Sequence, residues 1–336
     1  MSETRAGTAA LDAGQQHDQG GLGLLSVLRI DLREALFETR GFAARDGERQ
    51  ARLERSAGAF VAGYNRALYP RGMNDLLDNR DLPRALRGFS VEGSAMALAI
   101  TDAFPFRLIR GARLEAFLAA AAANNPYLAA VGAGWAMAKT PWRTRAILRA
   151  LDPVLVSLAF DGLGFHDCFF HPERFARGAP KRLGPLAAQS WDRGAGRALW
   201  FASGGDAAKA WETLTTFAPA RRSDVAAGLG LAMTYAGGLP EDEAAAFAAE
   251  TGDLRRWLAQ GSAFALEAHV RAGTDTPPVQ TTFAALSGVD PETGLRLVRQ
   301  AMPSAPAPLP LAEACALHEG WRERLSTALT DHRKAK

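Results

Sequence analysis

The most chemically suggestive stretch of the chain runs from Asp161 to His171, where Asp161, His166, Asp167, Cys168 and His171 alternate with Phe165, Phe169 and Phe170. Asp167 and His171 are four residues apart and would share a helix face, a spacing that suits two metal ligands or a carboxylate that orients an imidazole. His166 would lie about 140° round the same helix from His171. As a metal site the pair lacks a third ligand, and the three phenylalanines make the stretch equally a core helix whose histidines are hydrogen-bonded.

Glu92 is the second candidate. It sits between Val91 and Gly93 in a segment otherwise made of Ser, Ala, Met and Leu. Buried there, it needs a cation beside it or carries a raised pKa, and either makes it a candidate acid or base. Arg197, directly after Gly196 and three residues before Trp200, is a suitable cation; the plainer alternative is a salt bridge between neighbouring repeats. Glu92, His166 and Arg197 form the candidate catalytic group. Trp135, Tyr235 and Gln260 are candidates for lining a substrate groove, although aromatic residues at helical spacing also build cores. Ser223, following Arg221 and Arg222, is expected to cap a helix start with Asp224 in its first turn. Glu267 and Arg271 are expected to pair on a solvated face.

These residues sit among glycines that recur in order. Val91-Glu92-Gly93-Ser94-Ala95-Met96 is followed by Gly132-Ala133-Gly134-Trp135, Gly162-Leu163-Gly164-Phe165, Gly194-Ala195-Gly196-Arg197, Gly228-Leu229-Gly230-Leu231 and Gln260-Gly261-Ser262-Ala263. Aligning Gly134, Gly164, Gly196, Gly230 and Gly261 gives a period of roughly 30 to 34 residues, within the range of helical repeats. A glycine inside a helix costs about 1 kcal/mol relative to alanine, so its recurrence implies close approach between helices. Each unit reads as a glycine-containing helix, a short turn and a second helix such as Asp206 to Phe217 or Glu241 to Glu250. No alternating β-branched run lies between them. The expected fold is all-α, built of α-hairpin repeats. They would stack as an open solenoid of tetratricopeptide or Sel1 type, or close into an α/α toroid like that of terpene and lanthipeptide cyclases.

The remaining organisation follows from local signals. Residues 1–20 read as a disordered tail without the pattern of a signal peptide, and 21–80 as N-terminal helices, one beginning at Leu22 and one running from about Glu48 to Tyr69. Residues 81–302 carry the repeats, 303–310 a proline-rich linker, and 311–336 a capping helix and tail. The chain has 336 residues, 48% of them hydrophobic and 22% charged, with a formal net charge of +3. Its pI is about 9.1, yet the basic residues are dispersed among acidic ones, which does not point to nucleic acid. Cys168 and Cys315 suggest neither a disulfide framework nor a zinc ribbon. No apolar run long enough for a membrane span is evident, and a cytoplasmic location is expected, with membrane association only through a partner. The absence of a P-loop, a dinucleotide fingerprint, a GxSxG elbow, HExxH and an aspartate-rich DDxxD box gives no indication of ATP, NAD, flavin or diphosphate chemistry. The cofactor stays open, with a metal at Asp167 and His171 as the one candidate.

The ordered series Gly88-Phe89-Ser90-Val91-Glu92-Gly93, Val131-Gly132-Ala133-Gly134-Trp135, Phe160-Asp161-Gly162-Leu163-Gly164-Phe165-His166, Trp191-Asp192-Arg193-Gly194-Ala195-Gly196 and Arg221-Arg222-Ser223-Asp224-Val225 resembles a bacterial family of unknown function commonly labelled enediyne biosynthesis protein. The resemblance extends from about Leu24 to Arg322. It implies a place in a cassette that accompanies the enediyne polyketide synthase, beside an Rnf-like membrane protein and an UnbV-domain protein, acting on the polyene that becomes the enediyne core. Three functions follow as expectations: an enzyme on an unsaturated polyketide using Glu92, His166 and Arg197; a helical scaffold that binds a partner or a polyene without catalysis; and a metalloenzyme using Asp167 and His171.

Overall fold

The computed structural model describes residues 25–42, 47–103, 112–305 and 308–335, and all regular structure among them is helical. The α-helices are α1 (Phe37–Arg40), α2 (Gly47–Ala67), α3 (Met73–Leu77), α4 (Arg87–Thr101), α5 (Arg113–Ala121), α6 (Pro126–Lys139), α7 (Thr144–Ala150), α8 (Val156–Phe170) and α9 (Arg174–Arg177). They continue with α10 (Pro185–Ala202), α11 (Ala207–Thr216), α12 (Pro219–Tyr235), α13 (Glu241–Glu250), α14 (Arg255–Arg271), α15 (Pro277–Ser287), α16 (Pro291–Ala301) and α17 (Leu311–Lys334). The even-numbered helices from α2 to α14 carry the glycines and pack each against the next, while the odd-numbered ones connect them.

The glycines explain that order. A Cβ on Gly162 of α8 would fall 2.1 Å from the carbonyl oxygen of Val131 on α6, and one on Gly164 would fall 2.0 Å from that of Trp191 on α10. Positions i and i+2 are about 200° apart round a helix, so a Gly-x-Gly unit clears opposite sides for two neighbours. The same arrangement holds along the row. Gly194 meets Asp161 O and Gly196 meets Val225 O; Gly228 meets Arg193 O and Gly230 meets Leu258 O. At such range the backbones touch through Cα–H···O contacts that any side chain would abolish. The two ends of the row have one such neighbour each: Gly63 of α2 faces Ser90 O of α4, and Gly261 of α14 faces Ala227 O of α12; α4, between α2 and α6, has Gly93 facing Phe60 O and Ala95 beside Gly132.

The row bends back on itself. Arg84, before α4, donates to Gly273 O after α14, and Arg271 of α14 donates to Ala123 O and to the Tyr127 hydroxyl at the start of α6. Arg52 of α2 donates to Ala236 O at the end of α12. Local chemistry sets the helix limits: Asp206 and Asp290 accept from Lys209 N and Thr293 N as N-caps. Gly237 ends α12 at φ +71°, a conformation that favours glycine. Segment 153–170 is apolar and long enough to meet a membrane-span criterion, yet 83% of it is buried, as a core helix between α6 and α10.

Several expectations change. The leucine stripe beginning at Leu22 does not form a helix over its described part; it makes two 3-10 turns, Ser26–Leu28 and Leu32–Ala35. Asn65 bonds both the N–H and the carbonyl of Ile30, taking the backbone groups a helix would use. The second helix ends at Ala67, not Tyr69. Ser223 caps nothing: α12 begins four residues earlier at Pro219, whose missing N–H suits a first helical position. Glu267 is buried and paired with Arg299 instead of Arg271. The expected tail at 1–20 lies outside the described residues, as do Pro306 and Ala307 of the linker.

Candidate functional site

Glu92, Asp161 and Arg193 immediately precede Gly93, Gly162 and Gly194, the close-contact glycines of their helices, and Arg197 follows the second glycine of α10. Their neighbours are held so close that these side chains are almost wholly buried: Glu92 is 0% exposed, Asp161 3% and Arg197 3%. They form one cluster. Arg197 donates to Asp161 Oδ1 at 2.6 Å and lies 3.5 Å from Glu92 Oε1, which also accepts from Trp135 Nε1 at 2.8 Å. The second oxygen, Glu92 Oε2, has no hydrogen-bond partner. Burial pushes the Glu92 pKa up to about 7, against the opposing pull of Arg197 and Trp135. Desolvation therefore outweighs the ion pair, and the group exchanges its proton near neutrality.

Two cavities border the cluster. One, of about 40 Å³, is walled by Glu92, Trp135 and six phenylalanines, Phe60, Phe89, Phe165, Phe169, Phe170 and Phe201. Its other acid, Glu34, is paired with Arg40. The second, of about 50 Å³, has Asp161, Arg197 and Tyr235 in its wall, and α17 contributes His318 and Trp321.

A separate charge network fixes α17. Arg322, fully buried, pairs with Asp224 at 3.0 Å and with Glu319; Arg193 pairs with the same two carboxylates at 3.0 and 3.1 Å. Two arginines meet two acids, so formal charge balances. The Glu92 cluster holds two carboxylates and one guanidinium, and its balance is completed by a proton.

The sequence candidates divide accordingly. Glu92, Arg197 and Trp135 come together, and Tyr235 lines the cavity beyond them. His166 joins neither cavity. Its ring packs against Trp135 at 5.5 Å and Phe170 at 4.8 Å, its Nδ1 stands 3.8 Å from Asp167 Oδ1, and burial lowers its pKa, keeping it neutral. Gln260 is buried away from Trp135, accepting from Arg322 Nε at 3.1 Å. Asp167 and His171 do not make a metal pair: His171 is the residue after α8, half exposed with its Nδ1 3.8 Å from Glu173, while Asp167 Oδ2 accepts from Trp191 and Arg174. Among the described residues no group of three or more His, Cys, Asp or Glu could hold a metal ion. Asp161, Arg193, Asp224, Glu319 and Arg322 were not among the candidates. For Asp161 and Arg193 a signal existed, since they hold the position before glycine that Glu92 and Gln260 hold in their own helices.

Fold and site together define an all-α protein whose glycine-packed helices enclose a buried ion cluster between two largely apolar cavities. Residues 25–329 match the family described as protein of unknown function (DUF1702), and the chain belongs to that family. No curated protein and no solved structure matches it.

Proposed function

We propose that the protein is a component of enediyne-type polyketide biosynthesis that relocates a proton on an unsaturated, apolar chain through Glu92, with the phenylalanine-walled cavity widening to admit the reacting double bond. The observation that carries this reading is a fully buried carboxyl group with a pKa of about 7, one free oxygen and an aromatic cavity beside it. A neutral Glu92 gives its proton to an alkene carbon and becomes a carboxylate, which Arg197 and the Trp135 N–H stabilise. The faces of Trp135 and the phenylalanines favour the carbocation that results. A neighbouring carbon then returns a proton to Glu92, leaving an isomer of the same composition, with the double bonds moved or a ring closed. The pathway assignment and the cassette partners rest on the family resemblance. The helices belong, in this reading, to a repeat array that closes as a toroid rather than opening as a solenoid, supported by the bonds from Arg84 and Arg271 across its ends.

The test replaces the chain in a producing strain by Glu92→Gln and quantifies the pathway's polyene and final product. Loss of the final product, with the protein at wild-type level and the polyene accumulating, is expected. Wild-type yield would overturn the catalytic reading and favour a scaffold that binds a partner or the polyene.

A further inference from the structure

Arg197 is shared unequally between its two acids. It donates to Asp161 Oδ1 at 2.6 Å and stands 3.5 Å from Glu92 Oε1, at the outer edge of hydrogen-bond range. The helices that carry the three residues are locked in series. A Cβ on Gly132, Gly162 or Gly194 would fall 1.9–2.1 Å from the carbonyl oxygen of Glu92, Val131 or Asp161 respectively, so α4, α6, α8 and α10 touch backbone to backbone through the cluster. The guanidinium is held from below as well, 4.7 Å from the centre of the Phe165 ring. The packing thus keeps Arg197 nearer to Asp161.

The oxygens follow the same order. Glu92 Oε2 is buried without a hydrogen-bond partner, and an unpartnered oxygen in an apolar wall costs less on a neutral carboxyl group than on a carboxylate. The other groups that face Glu92 supply no second cation. α6 brings the Trp135 N–H; α2 brings Phe60 and Tyr64, and burial pushes the Tyr64 hydroxyl up to about 12; α12 brings Tyr235, whose hydroxyl burial pushes up further. Glu34, across the phenylalanine-walled cavity, is paired with Arg40. Of these groups only Asp161 competes with Glu92 for the charge of Arg197.

We propose that Asp161 is a positioning residue: it takes the charge of Arg197 for itself and so leaves the cluster's one proton on Glu92. This role rests on Glu92 being the acid of the reaction proposed above. It makes the acid a property of α8 and α10 as much as of α4, since the same guanidinium given wholly to Glu92 would hold it as a carboxylate.

Infrared difference spectroscopy of the purified full chain between pH 5 and pH 9 follows the carbonyl stretch of a protonated carboxyl group, with ¹³C in the side-chain carboxyls of either Glu or Asp. In wild type the expected band shifts with the Glu label only, is missing in Glu92→Gln, and fades with a midpoint of about pH 7. Asp161→Asn keeps an oxygen for Arg197 but not the charge. It should lower that midpoint by at least about one pH unit, a tenfold loss of proton affinity. Asp161→Ser, smaller and uncharged, should do the same. A midpoint unchanged or raised in either variant that folds would overturn the role of Asp161 while leaving Glu92 as the acid. A band that shifts with the Asp label and vanishes in Asp161→Asn would overturn it by placing the proton on Asp161. Absence of any such band from wild type would overturn both this role and the acid role of Glu92.

Discussion

Glu92→Gln should raise stability in a manner that depends on pH. The folded protein lifts the Glu92 pKa from its ordinary 4.5 to about 7, so it holds this proton more tightly than the unfolded chain does. The group's contribution to stability is therefore full below pH 4.5 and is lost as pH rises through 7. Complete ionisation costs about 3 kcal/mol, and most of it, about 2.5 kcal/mol, develops between pH 5 and pH 8. Glutamine keeps the acceptor for Trp135 Nε1, leaves Arg197 paired with Asp161, and does not titrate. With an unfolding entropy of about 2.1 cal/mol/K per residue, the difference in Tm between variant and wild type should grow in the variant's favour by about 3–4 °C from pH 5 to pH 8. Differential scanning calorimetry of both proteins across that range measures it, and other titrating groups cancel in the comparison. A difference that stays constant with pH, or turns towards wild type at pH 8, would show that Arg197 and Trp135 outweigh desolvation and would remove the proton that the proposed reaction needs.

Two further perturbations probe the frame around this cluster. Gly162→Ala and Gly194→Ala would set a methyl group about 2 Å from the carbonyls of Val131 and Asp161, and each should destabilise by at least ~2 kcal/mol in denaturant titrations. Gly47→Ala, with nothing within 4 Å of the added carbon, should be neutral or slightly stabilising; equal behaviour of the three would refute the close-contact account. Arg322→Ala leaves Asp224 and Glu319 with one arginine between them and should cost about 3–5 kcal/mol, read from the fluorescence unfolding midpoint. A loss below about 1 kcal/mol would mean that α17 is held by its apolar face alone.

The glycines made the frame legible because each is unfavourable in its own helix and so has to answer to a neighbour. The ion pair of Glu92 with Arg197 was legible for the same kind of reason: a carboxylate among Ser, Ala and Met cannot stay unpaired. Other features depended on contacts that local spacing does not carry. Gln260 meets Arg322, 62 residues on, and which helix receives α17 is not encoded near either residue. The leucine stripe after Leu22 has helical spacing, and Asn65, 35 residues from Ile30, decides against a helix there. Ser223 had the chemistry of a cap, but Pro219 starts the helix earlier, and both signals were present in the sequence.

The two arginines of α10 show how one helix face serves two purposes. Arg193 and Arg197 are one turn apart and both nearly inaccessible, at 6% and 3% exposure, so burial alone does not distinguish them. Their partners do. Arg193 shares two carboxylates with a second arginine, and removing any member leaves an uncompensated charge, which suits a fixed joint. Arg197 alone faces two carboxylates, at 2.6 Å from Asp161 and 3.5 Å from Glu92, and the more distant one is the one whose pKa rises to about 7. A surplus acid beside an apolar cavity has a proton to exchange, whereas a balanced set has none. The same counting puts the surplus acid at Glu92, beside Arg197, and the docking of α17 at Arg193, one helical turn away along α10.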